Sequence, residues 1–204
     1  MFAQIIRGKV SDPSAVRPVV ERWVRELGPT AKGWLGSTSG VTDDGQLFLL
    51  ARFESEEAGK ANSDKPEQGA WWAEMEKLFD GEASFRDSND VEVESVGDLD
   101  SAGFVQVVVA TSKDLDSSKA LTNSLREGRI VLRPDILGTV GVSFAGGEFA
   151  YAMYFTSERE ARTAEQRGRS AESQATMDEM MSLALGVPEY LNLTTVWLDS
   201  PKST

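Results

Sequence analysis

The stretch 51–58, ARFESEEA, recurs 102 residues later at 153–160 as MYFTSERE. In both copies an apolar run ends in Phe, and a Ser two residues further on is followed by acidic residues. This pattern is typical of a helix start, because the Ser hydroxyl can accept a backbone N–H and carboxylates are favoured at the positive end of the helix dipole. The stretch therefore predicts a strand that leads directly into a helix, once in each half of the chain.

The same offset aligns the rest of the two halves without a gap, and the identical residues fall at strand starts, a turn glycine and helix caps. Each half follows the order strand, helix, strand, strand, helix, strand, with Asp-Gly or Gly-Gly at the expected hairpin bend. We expect the second helix of the first half to break near Pro66 and one strand to close each half. The identical pairs include Phe2 and Phe104, Gln4 and Gln106, Asp12 and Asp114, Gly36 and Gly138, Gly45 and Gly147, and Ser55 and Ser157.

This order of elements is that of the ferredoxin-like split βαβ arrangement. We predict an α+β fold of two ferredoxin-like βαββαβ repeats in tandem, over residues 1–98 and 103–199. The strands at 46–54 and 104–110 are almost continuously apolar, which indicates burial on both faces. Because helices cover only one face of such a sheet, we expect the two antiparallel sheets to pack face to face as an α/β barrel within one chain.

The composition limits the kinds of function. The 204-residue chain contains no Cys and no His, which excludes thiol nucleophiles, Cys-ligated metals, His-based triads and His-ligated haem. We expect neither a metal nor another cofactor. The net charge of −12 argues against nucleic acid and anionic membranes as partners.

The distribution of apolar residues predicts neither a signal peptide nor a membrane span. The first residues are too briefly apolar for a signal peptide, and no later stretch approaches the roughly 20 apolar residues of a membrane span. We therefore expect a cytoplasmic protein, either a monomer with pseudo-twofold symmetry or a homodimer.

Polar side chains interrupt strands that otherwise look buried. Gln4 and Gln106 occupy equivalent places on the first strands, and a buried amide needs a protein partner, a water or a ligand. Arg52 and Tyr154 are equivalent on the third strands, where one could orient an anionic ligand and the other could donate a proton. Purely structural roles, such as an amide paired with backbone or a cation at the sheet end, are the alternative for all four.

The stretches 51–58 and 153–161, with the element order around them, resemble the dimeric α/β-barrel superfamily, which includes antibiotic-biosynthesis-type monooxygenases and haem-degrading oxygenases. In most such proteins two chains pair to form the barrel, so a tandem chain would supply both halves. The haem-degrading members use an iron-ligating His, which is missing here. Cofactor-free members oxidise electron-rich aromatic or polyketide-like substrates beside Asn, Trp, Arg or Tyr. The resemblance thus implies possible ligand-binding roles for Asn62, Trp72, Arg52 and Tyr154.

Two functions that involve a ligand stay open on the sequence alone, beside a purely structural or interaction module that the acidic composition suggests, so the chain is not assigned as an enzyme. One is a small-molecule-binding protein that acts as a cofactor-independent monooxygenase on an aromatic or polyketide-like substrate. The other is a non-catalytic ligand-binding or accessory protein that retains the fold. A pocket of at least about 300 Å³ that joins Gln4 or Gln106 to an Arg or Tyr would favour the enzyme. Because Trp71 and Trp72 have no counterparts in the second half, we expect any site to lie mainly in one half.

Overall fold

The computed structural model of the chain describes residues 1–167 and 170–201, without the side chains of 126–132. The strands are β1 (Phe2–Lys9), β2 (Trp34–Val41), β3 (Gln46–Phe53), β4 (Ser84–Ser88), β5 (Asp90–Ser95), β6 (Phe104–Thr111), β7 (Ile136–Ser143), β8 (Glu148–Phe155), β9 (Glu189–Leu193) and β10 (Thr195–Asp199). The α-helices are α1 (Pro13–Glu26), α2 (Glu56–Ser63), α3 (Pro66–Met75), α4 (Leu115–Leu132), α5 (Glu158–Gln166) and α6 (Ala171–Leu183).

The strands form two antiparallel five-stranded sheets, ordered β10-β2-β3-β1-β4 and β5-β7-β8-β6-β9. The chain divides into two compact units, which are unit 1 (Met1–Val91 with Leu193–Thr204) and unit 2 (Glu92–Asn192). The predicted α+β tandem of ferredoxin-like units is confirmed. Each sheet is open and has an edge strand at both ends. The face-to-face packing of the sheets and the repeat limits 1–98 and 103–199 stay predictions.

The end of each half differs from the sequence prediction, because two short strands replace the single closing strand. β4 pairs with β1 in unit 1, whereas β5 lies beside β7 in the other sheet. Likewise β9 lies beside β6, and β10 pairs with β2. The hydroxyl of Ser88 accepts the backbone N–H of Asp90 at 3.0 Å, which turns the chain out of the β1 ladder. Each sheet is thus completed by a strand from the other half of the sequence.

The strand register confirms the repeat up to the second helices. Gln4 pairs with Ala51 as Gln106 pairs with Met153, and both β2 and β7 carry an irregularity at the same place. Beyond that point the gap-free alignment is wrong, because α5 starts 102 residues after α2 whereas α6 starts 105 residues after α3, so the three extra residues lie between the starts of α5 and α6. The closing segments consequently correspond at an offset of 105 residues, as shown by the bridges Val10 to Phe79 and Ser112 to Ala184.

Helix starts and hairpin bends form where the sequence predicts them. Asp12 accepts the backbone N–H two residues further on at 2.9 Å, and Ser55 accepts the N–H three residues further on at 3.1 Å. Gly45 has a φ of 84°, the left-handed conformation that the bend between β2 and β3 requires. The second helix of the first half is broken as expected, since α3 starts at Pro66.

Both faces of the sheet of unit 1 are buried. Helices α1, α2 and α3 lie over the face that carries Phe2, Ile6 and Phe53, and these form one apolar core with Trp23 and Trp71. On the other face Ala3, Ile5, Phe48 and Leu50 are each between 0 and 2% exposed. This two-sided burial explains the continuous apolar runs in the sequence.

Candidate functional site

A cleft of about 80 Å³ lies in unit 1 between the sheet and helices α1 to α3. All of its lining residues belong to Met1–Val91, so the cleft lies wholly in the first half of the chain. Its polar lining side chains are Gln4, Ser37, Asn62, Ser63 and Gln68, with Lys60 and Asp87 as the charged ones. Its apolar lining residues are Phe2, Ile6, Val20, Trp23, Val24, Leu49, Ala51, Phe53, Gly59 and Trp71.

Strand pairing decides which polar groups reach this cleft. Ala51 lies opposite Gln4 on β1 and opposite Ser37 on β2, so these three side chains share the face that the helices cover. Arg52 is the next residue along β3 and therefore points to the other face. Its Nε is buried and has no hydrogen-bond acceptor among the residues that the structure describes.

The helix side of the cleft is built from tryptophan rings. The centroid of Trp23 lies 4.9 Å from that of Trp34 and 6.5 Å from that of Trp71, both in edge-to-face arrangements. The indole N–H of Trp71 donates to the Val19 carbonyl at 2.8 Å, which fixes the ring against α1. The cleft wall is therefore a rigid aromatic surface.

A chain of hydrogen bonds fixes the amide groups of α2 and α3. The Nε1 of Trp23 donates to Gln68 Oε1 at 2.6 Å, and the Nδ2 of Asn62 donates to the same oxygen at 3.3 Å. Lys65 Nζ lies 3.5 Å from Asn62 Oδ1 and donates to the Thr30 carbonyl at 2.6 Å. Both ends of the buried Asn62 amide are thus used within the protein, so Asn62 positions Gln68.

Charged groups lie at the mouth of the cleft. Gln4 Nε2 donates to Asp87 Oδ1 at 3.0 Å. Lys60 forms an exposed ion pair of 2.5 Å with Glu56 one helical turn earlier. This hydrogen bond raises the pKa of Lys60 and lowers the pKa of Glu56. Such an exposed pair contributes little to stability, so Lys60 can exchange Glu56 for another anionic group at small cost.

The equivalent side chains of unit 2 contact one another. Gln106 Nε2 donates to Asn192 Oδ1 at 2.9 Å, and Arg162 donates to the same oxygen at 3.1 Å. The guanidinium of Arg162 also lies 5.2 Å from the centroid of the Phe104 ring. At the place of Ala51 in unit 1, unit 2 has the longer Met153. The buried amide of Gln106 therefore has a protein partner.

The structure brings together only part of the predicted site. Gln4 and Asn62 line the cleft, whereas Arg52, Trp72, Gln106 and Tyr154 do not. Trp72 instead contacts Phe79 and Phe85, with ring centroids 6.0 and 4.8 Å away. Tyr154 is 1% exposed and follows Met153 on β8, so it points to the opposite face from Gln106. Roles for these four residues in ligand binding stay predictions.

Gln68, Ser37, Lys60 and Asp87 are the lining residues that sequence reasoning missed. Gln68 precedes Trp71 by three positions, so a helical count from that Trp could have found it. The cleft is smaller than about 300 Å³, and it joins Gln4 to Lys60 and Asp87 but not to an Arg or Tyr. This cleft therefore has neither the volume nor the Arg or Tyr that would favour an enzyme.

Metal binding and membrane insertion find no support in the described residues. Within 1–167 and 170–201, the structure shows no group of three or more Asp or Glu side chains that could hold a metal ion. Over the same part of the chain, no helix is both long and apolar enough to cross a membrane.

Solved structures of proposed monooxygenases share this fold over almost their entire length. One from Lactobacillus acidophilus NCFM has a TM-score of 0.75 and 13% identity, and the match covers 98% of this chain and 95% of that one. Another, from Fusobacterium nucleatum subsp. nucleatum ATCC 25586, has a TM-score of 0.75 and 10% identity, covering 98% and 94%. An anthrone oxidase-like protein has a TM-score of 0.67 and 11% identity, covering 99% and 94%.

No protein-family profile matches the sequence, and no curated protein matches it. The structural likeness therefore rests on the fold, at identities of 10 to 13%. The chain has the same tandem fold as these proposed monooxygenases.

Proposed function

We propose that unit 1 binds a small aromatic molecule in the cleft between its sheet and helices α1 to α3. The observation that carries this proposal is the cleft itself, which has aromatic walls at Trp23 and Trp71 and amide groups at Gln4 and Gln68. Binding sites for small molecules typically combine an apolar lining with a few polar groups that set orientation. Because Arg162 and Met153 occupy the equivalent space in unit 2, we expect one site per chain.

The size of the cleft favours a single ring. A dry cavity of about 150 Å³ can hold benzene, and the cleft has about 80 Å³. A monocyclic ligand would therefore be partly enclosed, with one edge at the mouth near the exposed Lys60. A polyketide-sized ligand would require the helices to move away from the sheet.

Substitution of Ala51 by Met tests this proposal. Ala51→Met places in unit 1 the residue that fills the equivalent place in unit 2, so the added atoms should occupy the cleft. We expect 4′-hydroxyacetophenone to quench the tryptophan fluorescence of the native protein saturably, and the substitution to weaken binding at least tenfold. Titration by fluorescence and by calorimetry measures this affinity.

The matched control is Ala70→Met on the exposed side of α3, which should leave the affinity unchanged. Circular dichroism checks that both variants are folded. A native protein that gives no saturable signal with the probe would contradict the proposal. Equal affinity for the native protein and Ala51→Met would place the binding elsewhere and contradict it as well.

Cofactor-independent monooxygenation is a second candidate, favoured by the fold likeness to proposed monooxygenases and to an anthrone oxidase-like protein. In such a reaction an aryl-flanked CH₂ group and O₂ give a C=O group and water. Both C–H bonds break, one oxygen atom enters the C=O group, the other leaves as water with the two hydrogens, and the substrate supplies all four electrons that reduce O₂. Asp87 is the carboxylate of the cleft lining and could accept the first proton.

An oxygen electrode with 1,8-dihydroxyanthrone as substrate tests this second candidate. We expect uptake of one O₂ per quinone formed, and slower uptake by Asp87→Asn with the affinity for the substrate retained. No uptake above the rate without protein would leave the non-catalytic binding protein as the function.

A further inference from the structure

The hydrogen bonds around Gln68 determine which of its amide atoms can meet a ligand. An indole N–H can only donate, so the atom that Trp23 contacts at 2.6 Å must be the oxygen of Gln68. Asn62 donates to the same oxygen, which confirms this orientation. The amino group of Gln68 has no hydrogen-bond acceptor among the described residues, and it is left to donate to an occupant of the cleft.

The same reasoning applies to Ser37. The indole N–H of Trp34 donates to Ser37 Oγ at 3.0 Å, so the hydroxyl oxygen accepts there. The hydroxyl hydrogen finds no other acceptor in the described part of the protein and is available as a second donor. Ser37 and Gln68 both line the cleft.

Gln4 provides the complementary group. Its amino group donates to the Asp87 carboxylate, which cannot donate when ionised, so the orientation of this amide is also fixed. The carbonyl oxygen of Gln4 is left as an acceptor in the cleft. The cleft thus presents two donors, at Ser37 and Gln68, and one acceptor, at Gln4, around a space with aromatic walls.

We infer that the preferred ligand is a monocyclic hydroxyaryl carbonyl compound, a class that deepens the proposed function and depends on it. Its carbonyl oxygen would accept from Gln68 and Ser37, and its hydroxyl would donate to Gln4. The ring would lie against Trp23 and Trp71. A ligand without one of these groups would leave a desolvated polar side chain unpaired, which is the strongest source of discrimination in such sites.

Three probes and two substitutions, Gln68→Glu and Ser37→Ala, test this inference. The probes are 4′-hydroxyacetophenone, 4′-methoxyacetophenone, which lacks the hydroxyl donor, and 4-ethylphenol, which lacks the carbonyl. Gln68→Glu keeps an oxygen for Trp23 and Asn62 but replaces the donating amino group by a carboxylate oxygen. The matched control is Gln166→Glu at the exposed end of α5, which makes the same change of charge in unit 2.

For the native protein we expect 4′-hydroxyacetophenone to bind about tenfold more tightly than each of the other two probes. Gln68→Glu should weaken binding of the two ketones about tenfold and change the affinity for 4-ethylphenol less than twofold. Gln166→Glu should change none of the three affinities. Ser37→Ala removes the second donor independently and should weaken the ketones about threefold.

The outcomes separate the two proposals. Saturable binding of all three probes with equal affinity, or an equal effect of Gln68→Glu on every probe, overturns the ligand class but leaves binding in the cleft intact. Failure of every probe to bind the native protein overturns the proposed binding function itself.

Discussion

Unit 1 and unit 2 share strand register, helix caps and hairpin bends, yet the side chains beneath their helices differ. The difference depends on a few side chains on one face. Three side chains of unit 1 correspond to longer side chains at the equivalent positions of unit 2. The pairs are Ala51 and Met153, Leu49 and Tyr151, and Lys60 and Arg162.

This comparison shows that the fold and the cleft depend on different residues. Register and caps are set by positions that are identical or similar in the two halves, such as Gly36 and Gly138 at the irregularities of β2 and β7. The cleft is set by positions at which the halves differ. Rigid indole rings pack at fixed angles and leave irregular space between them, whereas the flexible Met153 can adapt to fill it.

The largest effect is expected from the loss of a tryptophan ring in unit 1, which tests whether the aromatic cluster matters more than the aliphatic packing of unit 2. Trp23→Ala removes a buried ring with two aromatic neighbours and leaves the Gln68 oxygen with one donor fewer. We expect the free energy of unfolding to fall by about 3–5 kcal/mol. Chemical denaturation followed by circular dichroism measures the change.

The matched substitution in unit 2 is Leu125→Ala, at the position that corresponds to Trp23. Leu125 is half-buried, so we expect a loss of about 1–2 kcal/mol. Equal losses for the two variants would show that the aromatic cluster is no more important to its unit than the aliphatic packing of the other.

A smaller effect is expected from the two equivalent cations. Arg162→Ala removes a charged hydrogen bond to Asn192 and the contact with the Phe104 ring, so we expect a loss of about 1–2 kcal/mol. Lys60→Ala removes only an exposed pair with Glu56 and should leave the unfolding midpoint unchanged. A clear loss of stability with Lys60→Ala would contradict the view that Lys60 is free to meet a ligand.

Much of the fold could be predicted from the sequence, because it depends on local signals that occur twice. Asp12, Ser55 and Gly45 act within a few residues of themselves, and their effects can be inferred from residue type. The exchange of β5 and β10 between the sheets could not, since it depends on the turn at Ser88 and on which sheet edge is available. A strand pattern does not state its pairing partner.

The site could be predicted only in part, for a related reason. Gln4 was recognisable because a polar residue in a buried strand must find a partner. Gln68 acquires its role from the indole N–H of Trp23, which lies far from it in the sequence. Ser37 acquires its role from the indole N–H of Trp34 on the same strand, and the sequence does not show which face of the sheet Ser37 occupies. The equivalent Gln106 carries the same sequence signal as Gln4, yet its partner Asn192 comes from a strand 86 residues away.

The smallest expected effect concerns the shared features, at the helix caps Asp12 and Asp114. The Ser14 hydroxyl and backbone N–H hold the pKa of Asp12 below its ordinary value, and Ser117 does the same for the pKa of Asp114. At pH 7 we expect Asp12→Ala and Asp114→Ala to lower the thermal midpoint by similar amounts, about 2–4 °C each.

The effect of both caps should depend on pH in the same direction. A carboxyl group whose pKa is lower in the folded state stabilises the fold above its unfolded-state pKa of about 3.9, and that contribution is lost as the pH falls through the folded-state pKa. Thermal scans should therefore show each variant approaching the native midpoint as the pH drops below about 4. The two helix caps are among the features that unit 1 and unit 2 share. A pH effect at only one of them would therefore show that the two units differ even at their helix starts.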